Sequence, residues 1–194
     1  LTTVDSAADA LQGGLGMPYR TLGRAGLKVS VLGLGTSQID DPAVARRCLD
    51  FGINYFDTAD CYMGGNSEVA LGKALRGHRD KAIIATKWHP HDNRPVRELI
   101  ASVDTSLRRL GIDHIDLIQV HGATNISHAT GETGWEAFNR LKEAGKVRFN
   151  GLSTHENRVE VVRAAIKSGH YDAVLVKHNA MTADTMKPVI RESP

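Results

Sequence analysis

Asp57 and Tyr62 stand five residues apart in "NYFDTADCYMGGNSE" (54–68), where a strand-like run ends and a helical pattern begins. Lys87 closes another apolar run, "AIIATK", so its ammonium is drawn out of bulk water and needs an anionic partner. Asp57, on the neighbouring strand, can supply that partner. A cation beside Tyr62 favours the phenolate of a group that ordinarily titrates near about 10. A phenol tuned in this way and held near a cavity is a good general acid. His121 ends "IDLIQVH", one strand further on, and can hydrogen-bond the same reacting oxygen. The chemistry this set can do is proton delivery to a polarised oxygen.

The elements that must position these residues alternate along the chain. Apolar runs at 29–36, 53–59, 81–88, 114–122, 146–154 and 171–179 read as strands. Helical patterns occupy 41–52, 66–77, 94–111, 134–145 and 157–169. The clearest helix is 94–111, where Val96, Leu99, Ile100, Val103, Leu107 and Leu110 draw one apolar stripe. A last helix opens near Thr182, and Pro188 is expected to interrupt or shorten it. "YRTLGRAGLKV" ahead of the first strand reads as a hairpin turning at Gly23 or Gly26. Strands apolar at nearly every position, joined by short connections to helices, predict a parallel sheet covered on both faces. No G-x-G-x-x-G follows the first strand, so a dinucleotide-binding Rossmann unit has no support.

The expected fold is α/β, a (β/α)8 barrel. Polar groups then collect at the strand ends, where such barrels do their chemistry. Six strands are two short of closure, which usually takes about 250 residues. The chain therefore reads as an incomplete barrel over residues 17–194, lacking two βα units, with unpaired sheet edges and an exposed interior. Residues 1–16 read as a flexible tail.

Composition narrows the function further. The 194 residues carry 24 basic and 22 acidic side chains and a net charge of +2, without a basic run, which argues against nucleic-acid binding. No apolar stretch approaches the roughly 18–20 residues that cross a bilayer. Cys48 and Cys61 form no C-x-x-C motif and read as reduced thiols. The tail has neither the charged nor the apolar region of a signal peptide, so a cytoplasmic location is expected. Export after removal of an upstream signal is the alternative.

These residues resemble the aldo-keto reductase family, in a bacterial branch. "YRTLGRAGLKVSVLGLGT" looks like that family's opening hairpin and first strand, and "NYFDTADCYMGGNSEVALGKAL" is similar to its most diagnostic motif. "ATKW", "IDLIQVH" and "GKVRFNGLSTH" match its lysine, histidine and fifth strands. The resemblance implies a reductase of small aldehydes or ketones that uses NADPH, with NADH possible, and no metal. It implies the catalytic set Asp57, Tyr62, Lys87 and His121, with Tyr62 as the acid. It also implies cofactor contacts at Thr36, Asp57, Ser153 and Thr154, and a substrate pocket at Met63, Trp88 and His89. The family's usual Asn after Ser153 is Thr154 here, and its usual sixth-strand Gln falls at Leu175. Its pyrophosphate and 2′-phosphate contacts come mainly from the last two βα units, so weak cofactor binding is expected of this chain alone. Oligomeric state is not implied.

Three other readings compete. His89, His91, His121, His155, His178 and Asp57 could form a ligand set for a metal-dependent hydrolase, although Lys87 among them would repel a cation. Lys87 on an apolar strand could be a Schiff-base nucleophile. A barrel of this kind could also be a non-catalytic subunit.

Overall fold

The computed structural model describes residues 16–90 and 94–193. The expected tail lies almost wholly outside the described residues, as does His91. The described residues form eight strands: β1 (Tyr19–Leu22), β2 (Leu27–Ser30), β3 (Gly33–Gly35), β4 (Tyr55–Asp57), β5 (Ile83–Trp88), β6 (Ile115–Val120), β7 (Val147–Thr154) and β8 (Ala173–Val176). The helices are α1 (Pro42–Asp50), α2 (Asn66–Ala74), α3 (Val96–Leu110), α4 (Ile126–Ala129), α5 (Glu132–Glu143), α6 (Arg158–Ser168) and α7 (Ala183–Arg191). Strands β3 to β8 form one parallel sheet in chain order, and β1 pairs antiparallel with β2 in a separate hairpin. Consecutive parallel strands joined by helices make the six-stranded arc of a (β/α)8 barrel, as the sequence pattern predicts.

Within the arc, strand alternation assigns each side chain a face. Phe56, Ile84, Trp88 and Ile118 point outward into a buried layer shared with Leu99, Val103 and Leu110 of α3 and Phe138 of α5. The stripe read on α3 is therefore the face that closes the core. Gly111 ends that helix in the left-handed conformation (φ 66°), its N–H bonding Leu107 O. Asp41 caps α1 by accepting from Ala43 N–H at 2.9 Å.

The hairpin closes the end of the arc opposite the strand C-termini. Tyr19 Oη donates to Gly52 O (2.7 Å) and Arg24 to Tyr171 O (3.0 Å). Asn54 accepts from Ser30 N–H (2.7 Å) and donates to Lys28 O (2.9 Å). These ties correct the expectation of a single strand over 29–36. Val29 and Ser30 belong to the hairpin, Val31 and Leu32 are exposed, and only Gly33–Gly35 enters the sheet. An apolar run does not reveal such a break, because Ser30 Oγ makes the turn locally by donating to Leu32 O (2.6 Å).

Gly65, with φ 95°, precedes α2, so the helix starts at Asn66 without a side-chain cap. One further expectation changes. Pro188 sits inside α7 rather than ending it. Its missing N–H forfeits one bond in the last turns, while Met186 and Val189 bury that helix against α6.

Helices α2 and α3 approach so closely that a Cβ on Gly72 would stand 2.2 Å from Leu110 O. Gly72→Ala is expected to destabilise the protein by about 3 kcal/mol or more, since backbone must move to admit it. Urea unfolding checks this, with Gly35→Ala, where a Cβ meets nothing within 4 Å, as comparison.

Candidate active site

Lys87 reaches the inner face one residue before the end of β5 and is 2% exposed. Its ammonium has three protons and finds three acceptors: Asp57 Oδ1 at 2.5 Å, Thr58 O at 2.7 Å and Tyr62 Oη at 3.2 Å. The ammonium also lies 4.7 Å from the centre of the Tyr62 ring. Burial pushes the Asp57 carboxyl upward, while the Lys87 charge and hydrogen bond pull it back down. Gln119 of β6 donates to the second Asp57 oxygen at 3.4 Å.

His121 begins the loop after β6, its N–H bonded to Trp88 O at 2.9 Å. Its ring stands edge-on to Tyr62, with centroids 5.7 Å apart and planes at 82°. Desolvation first, then the neighbouring His89 and Lys87, lower its pKa from 6.5 to about 4. The imidazole is therefore neutral near pH 7, with one ring nitrogen bearing a proton to donate. Asp57, Tyr62, Lys87 and His121, named from three separate motifs, are thus brought together.

The other expected site residues divide. Met63 lies on the rim, 42% exposed, in the left-handed conformation (φ 50°) that a non-glycine residue rarely takes. His89 stands beside the site, 4.8 Å from the His121 ring by centroids and 3.4 Å from Asp60 Oδ1. Trp88 is not at the site. It is 2% exposed in the outer core, because adjacent residues on a strand face opposite sides and Lys87 takes the inner one.

The hydroxyls expected at the cofactor are engaged with main chain. Thr36 Oγ1 donates to Asp57 O (3.2 Å), and Thr154 Oγ1 is shared between Ala123 O (2.7 Å) and Glu156 O (2.8 Å). Ser153 Oγ donates to Val120 O (3.1 Å) and accepts from Gly122 N–H (2.9 Å). These groups shape the loops around the site and carry no spare donor. Beside Asp57 the arc's interior forms a cavity of about 440 Å³, bordered by Gly33, Gly35, Tyr55, Gln119 and Leu175.

The rival readings of Lys87 and the histidines weaken. A Schiff-base lysine must present a neutral amine, whereas all three ammonium protons of Lys87 are spent on acceptors. His155 and His178 take no part in the one group of metal-capable side chains found among the described residues.

A supporting network escaped the sequence reading. Glu68 of α2 is fully buried and accepts from Thr86 Oγ1 (2.7 Å) and Arg109 (3.2 Å). Arg109 also donates to Asp60 O at 2.9 Å. Its guanidinium lies over Gly65, where a Cβ would stand 2.3 Å from its central carbon. That contact and the positive φ explain the second glycine of "MGGN". The signal was present in the quoted motif, but which basic residue meets Glu68 depends on how α2 packs on α3.

The arc of βα units thus gathers an ammonium, a phenol, a carboxylate and an imidazole at its C-terminal edge. The chain belongs to the aldo/keto reductase family, whose model matches residues 31–188. Among curated relatives it is 32% identical to the oxidoreductase YqkF of Bacillus subtilis, over 83% of this chain and 56% of that protein. It is 36% identical to L-galactose dehydrogenase of Arabidopsis thaliana, over 69% of this chain and 47% of that protein. Among solved structures it is similar to the holo form of aldo-keto reductase AKR11C1 from Bacillus halodurans, with 34% identity and a TM-score of 0.78. That match covers 91% of this chain and 63% of the other. The chain spans about half the length of the curated relatives it matches.

Removing the Glu68 carboxylate leaves the Arg109 guanidinium without its charge partner and Thr86 without its acceptor. Glu68→Ala is expected to cost about 3 kcal/mol in urea unfolding. Glu68→Gln, which retains an acceptor for Thr86, should cost less.

Proposed function

We propose that the protein reduces an aldehyde or ketone to an alcohol with a reduced nicotinamide dinucleotide, NADPH in the first instance. The observation that carries this reading is the Lys87 ammonium donating to Asp57 and to the Tyr62 oxygen at once, with a neutral His121 edge-on to the same phenol.

The donor set fits such a cofactor. It offers a proton and a second hydrogen-bond donor, yet no side chain in it can give up a hydride. A bound nicotinamide would supply that hydride. Asp57, Thr36, Ser153 and Thr154 are the residues expected to flank it, acting through the loop shapes their hydroxyls and carboxylate hold. Family membership supports the same reading.

The remaining work falls to the chain's own side chains. A substrate oxygen within reach of Tyr62 Oη and His121 accepts from both. The His121 imidazole polarises the carbonyl without adding a positive charge. As charge develops on the oxygen, the Tyr62 proton moves to it. The Lys87 proton already pointing at Tyr62 Oη stabilises the phenolate left behind. Asp57 holds the Lys87 ammonium in place. Met63 and His89 stand nearest the rim, where a substrate's substituents would rest.

Oxidation of the reduced cofactor with a panel of small aldehydes and ketones, followed by absorbance, tests this. Tyr62→Phe should lower kcat by about 10²–10⁴-fold while cofactor affinity, read by fluorescence, is little changed. A Tyr62→Phe protein that keeps the parent rate would remove the assigned acid.

A further inference from the structure

At the edge of this site His121 also belongs to a second group of side chains, of which Asp60 and Cys61 have no part in carbonyl reduction. Asp60, Cys61, His89 and His121 each offer one ligand atom, and these four atoms all lie within 4.8 Å of one another. They come from three consecutive strand ends: the loop after β4, the residue after β5 and the residue after β6. Backbone bonds hold the frame, with Asp60 N–H to Lys87 O (3.4 Å), His121 N–H to Trp88 O (2.9 Å) and Arg109 to Asp60 O (2.9 Å).

The spacings have a chemical meaning. Zinc bonds of about 2.0–2.1 Å to nitrogen and oxygen and about 2.3 Å to sulfur, at tetrahedral angles, place N and O ligands roughly 3.4 Å apart. The same bonds place S and N roughly 3.6 Å apart. Here His89 Nδ1 lies 3.4 Å from Asp60 Oδ1, and Cys61 Sγ lies 3.6 Å from His121 Nδ1. Two edges of the tetrahedron are already formed.

Asp60 Oδ1 is an independent sign. It is shielded from solvent and makes no hydrogen bond, since its approach to the His89 ring lacks the geometry of one. A buried carboxylate oxygen in that state is costly, and a cation would satisfy it. The charges also balance. Asp60 and a Cys61 thiolate neutralise a divalent ion, both imidazoles can bind neutral, and the Lys87 charge is already paired with Asp57.

The geometry points to a tetrahedral site for one zinc-class divalent cation at Asp60, Cys61, His89 and His121. This set differs from that of the hydrolase reading, His89, His91, His121, His155, His178 and Asp57, sharing only His89 and His121 with it. Binding releases the Cys61 proton to solvent and ties down His121. The bound cation is therefore a reversible inhibitor of carbonyl reduction, a consequence that rests on the proposed function, whereas binding does not.

Titration of the intact, reduced and chelator-stripped protein with Co²⁺ tests the site without any turnover. The expected result is one equivalent bound, the intense visible bands of four-coordinate cobalt, a thiolate-to-cobalt charge-transfer band, and displacement of both by one equivalent of Zn²⁺. Cys61→Ser should abolish the charge-transfer band, and Asp60→Asn should weaken binding by at least about tenfold. Circular dichroism should show both variants folded, and Cys48→Ser should behave as the parent. Weak six-coordinate bands, no stoichiometric binding, or a charge-transfer band that survives in Cys61→Ser overturns the site. If cobalt binds as expected but the protein reduces no carbonyl, the reductase reading fails and the site stands.

Discussion

A lone ammonium on the inner face of a buried strand would cost several kcal/mol, and most of what surrounds the site follows from meeting that cost. Lys87 has three protons and no solvent to receive them. The acceptors are a carboxylate, a carbonyl and a phenol, all from the six residues between Asp57 and Tyr62. The chain after β4 must therefore fold back over the end of β5 instead of running straight into its helix. Met63 takes a strained conformation in that path, and Gly64 and Gly65 follow with positive φ. The far end of the loop is held in turn by Arg109, bound to Asp60 O and to the buried Glu68 carboxylate. The phenol is thus fixed between two charged networks, one on each side of the sheet.

Stability and chemistry occupy opposite ends of the arc. At the strand N-termini, the hairpin is tied to Gly52, Asn54 and Tyr171. Nearby Asp116, 2% exposed, accepts from Arg79, Arg148 and Ile84 N–H. Arg24, Arg79, Arg148 and Asp116 are each answered by a fixed partner there, which makes a rigid base. At the C-terminal ends the groups are partnered more sparingly: the Tyr62 proton and the protonated nitrogen of His121 remain available to an oxygen. The parallel register carries the one end to the other, because Asp57, Ala85 and Leu117 are successive partners across β4, β5 and β6.

Much of this was legible in the chain. Alternating apolar runs and amphipathic stripes named the βα units in order, and the stripe from Leu99 to Leu110 is the face that packs. The polar residues ending three apolar strands named the group that meets around Lys87, since an ionisable side chain closing such a run has to be answered by another. Trp88 was misplaced although the information was there: strand period alone puts it opposite Lys87. Glu68, Arg109 and Gln119 were passed over because nothing local marks a charged helix residue as buried. The break after Ser30 was hidden because one hydroxyl, bonding within its own turn, outweighed an unbroken apolar run.

The sequence by itself determined which elements form and which functional groups stand at their ends, because periodicity and burial cost are properties of the chain. Tertiary structure alone decided which of those groups meet. That Lys87 spends all its protons, that Thr36, Ser153 and Thr154 turn their hydroxyls to main chain, and that Asp60 and Cys61 lie against His89 and His121 depend on strand register and on the packing of α2 against α3. These are distances between segments far apart in the chain, and no local pattern encodes them.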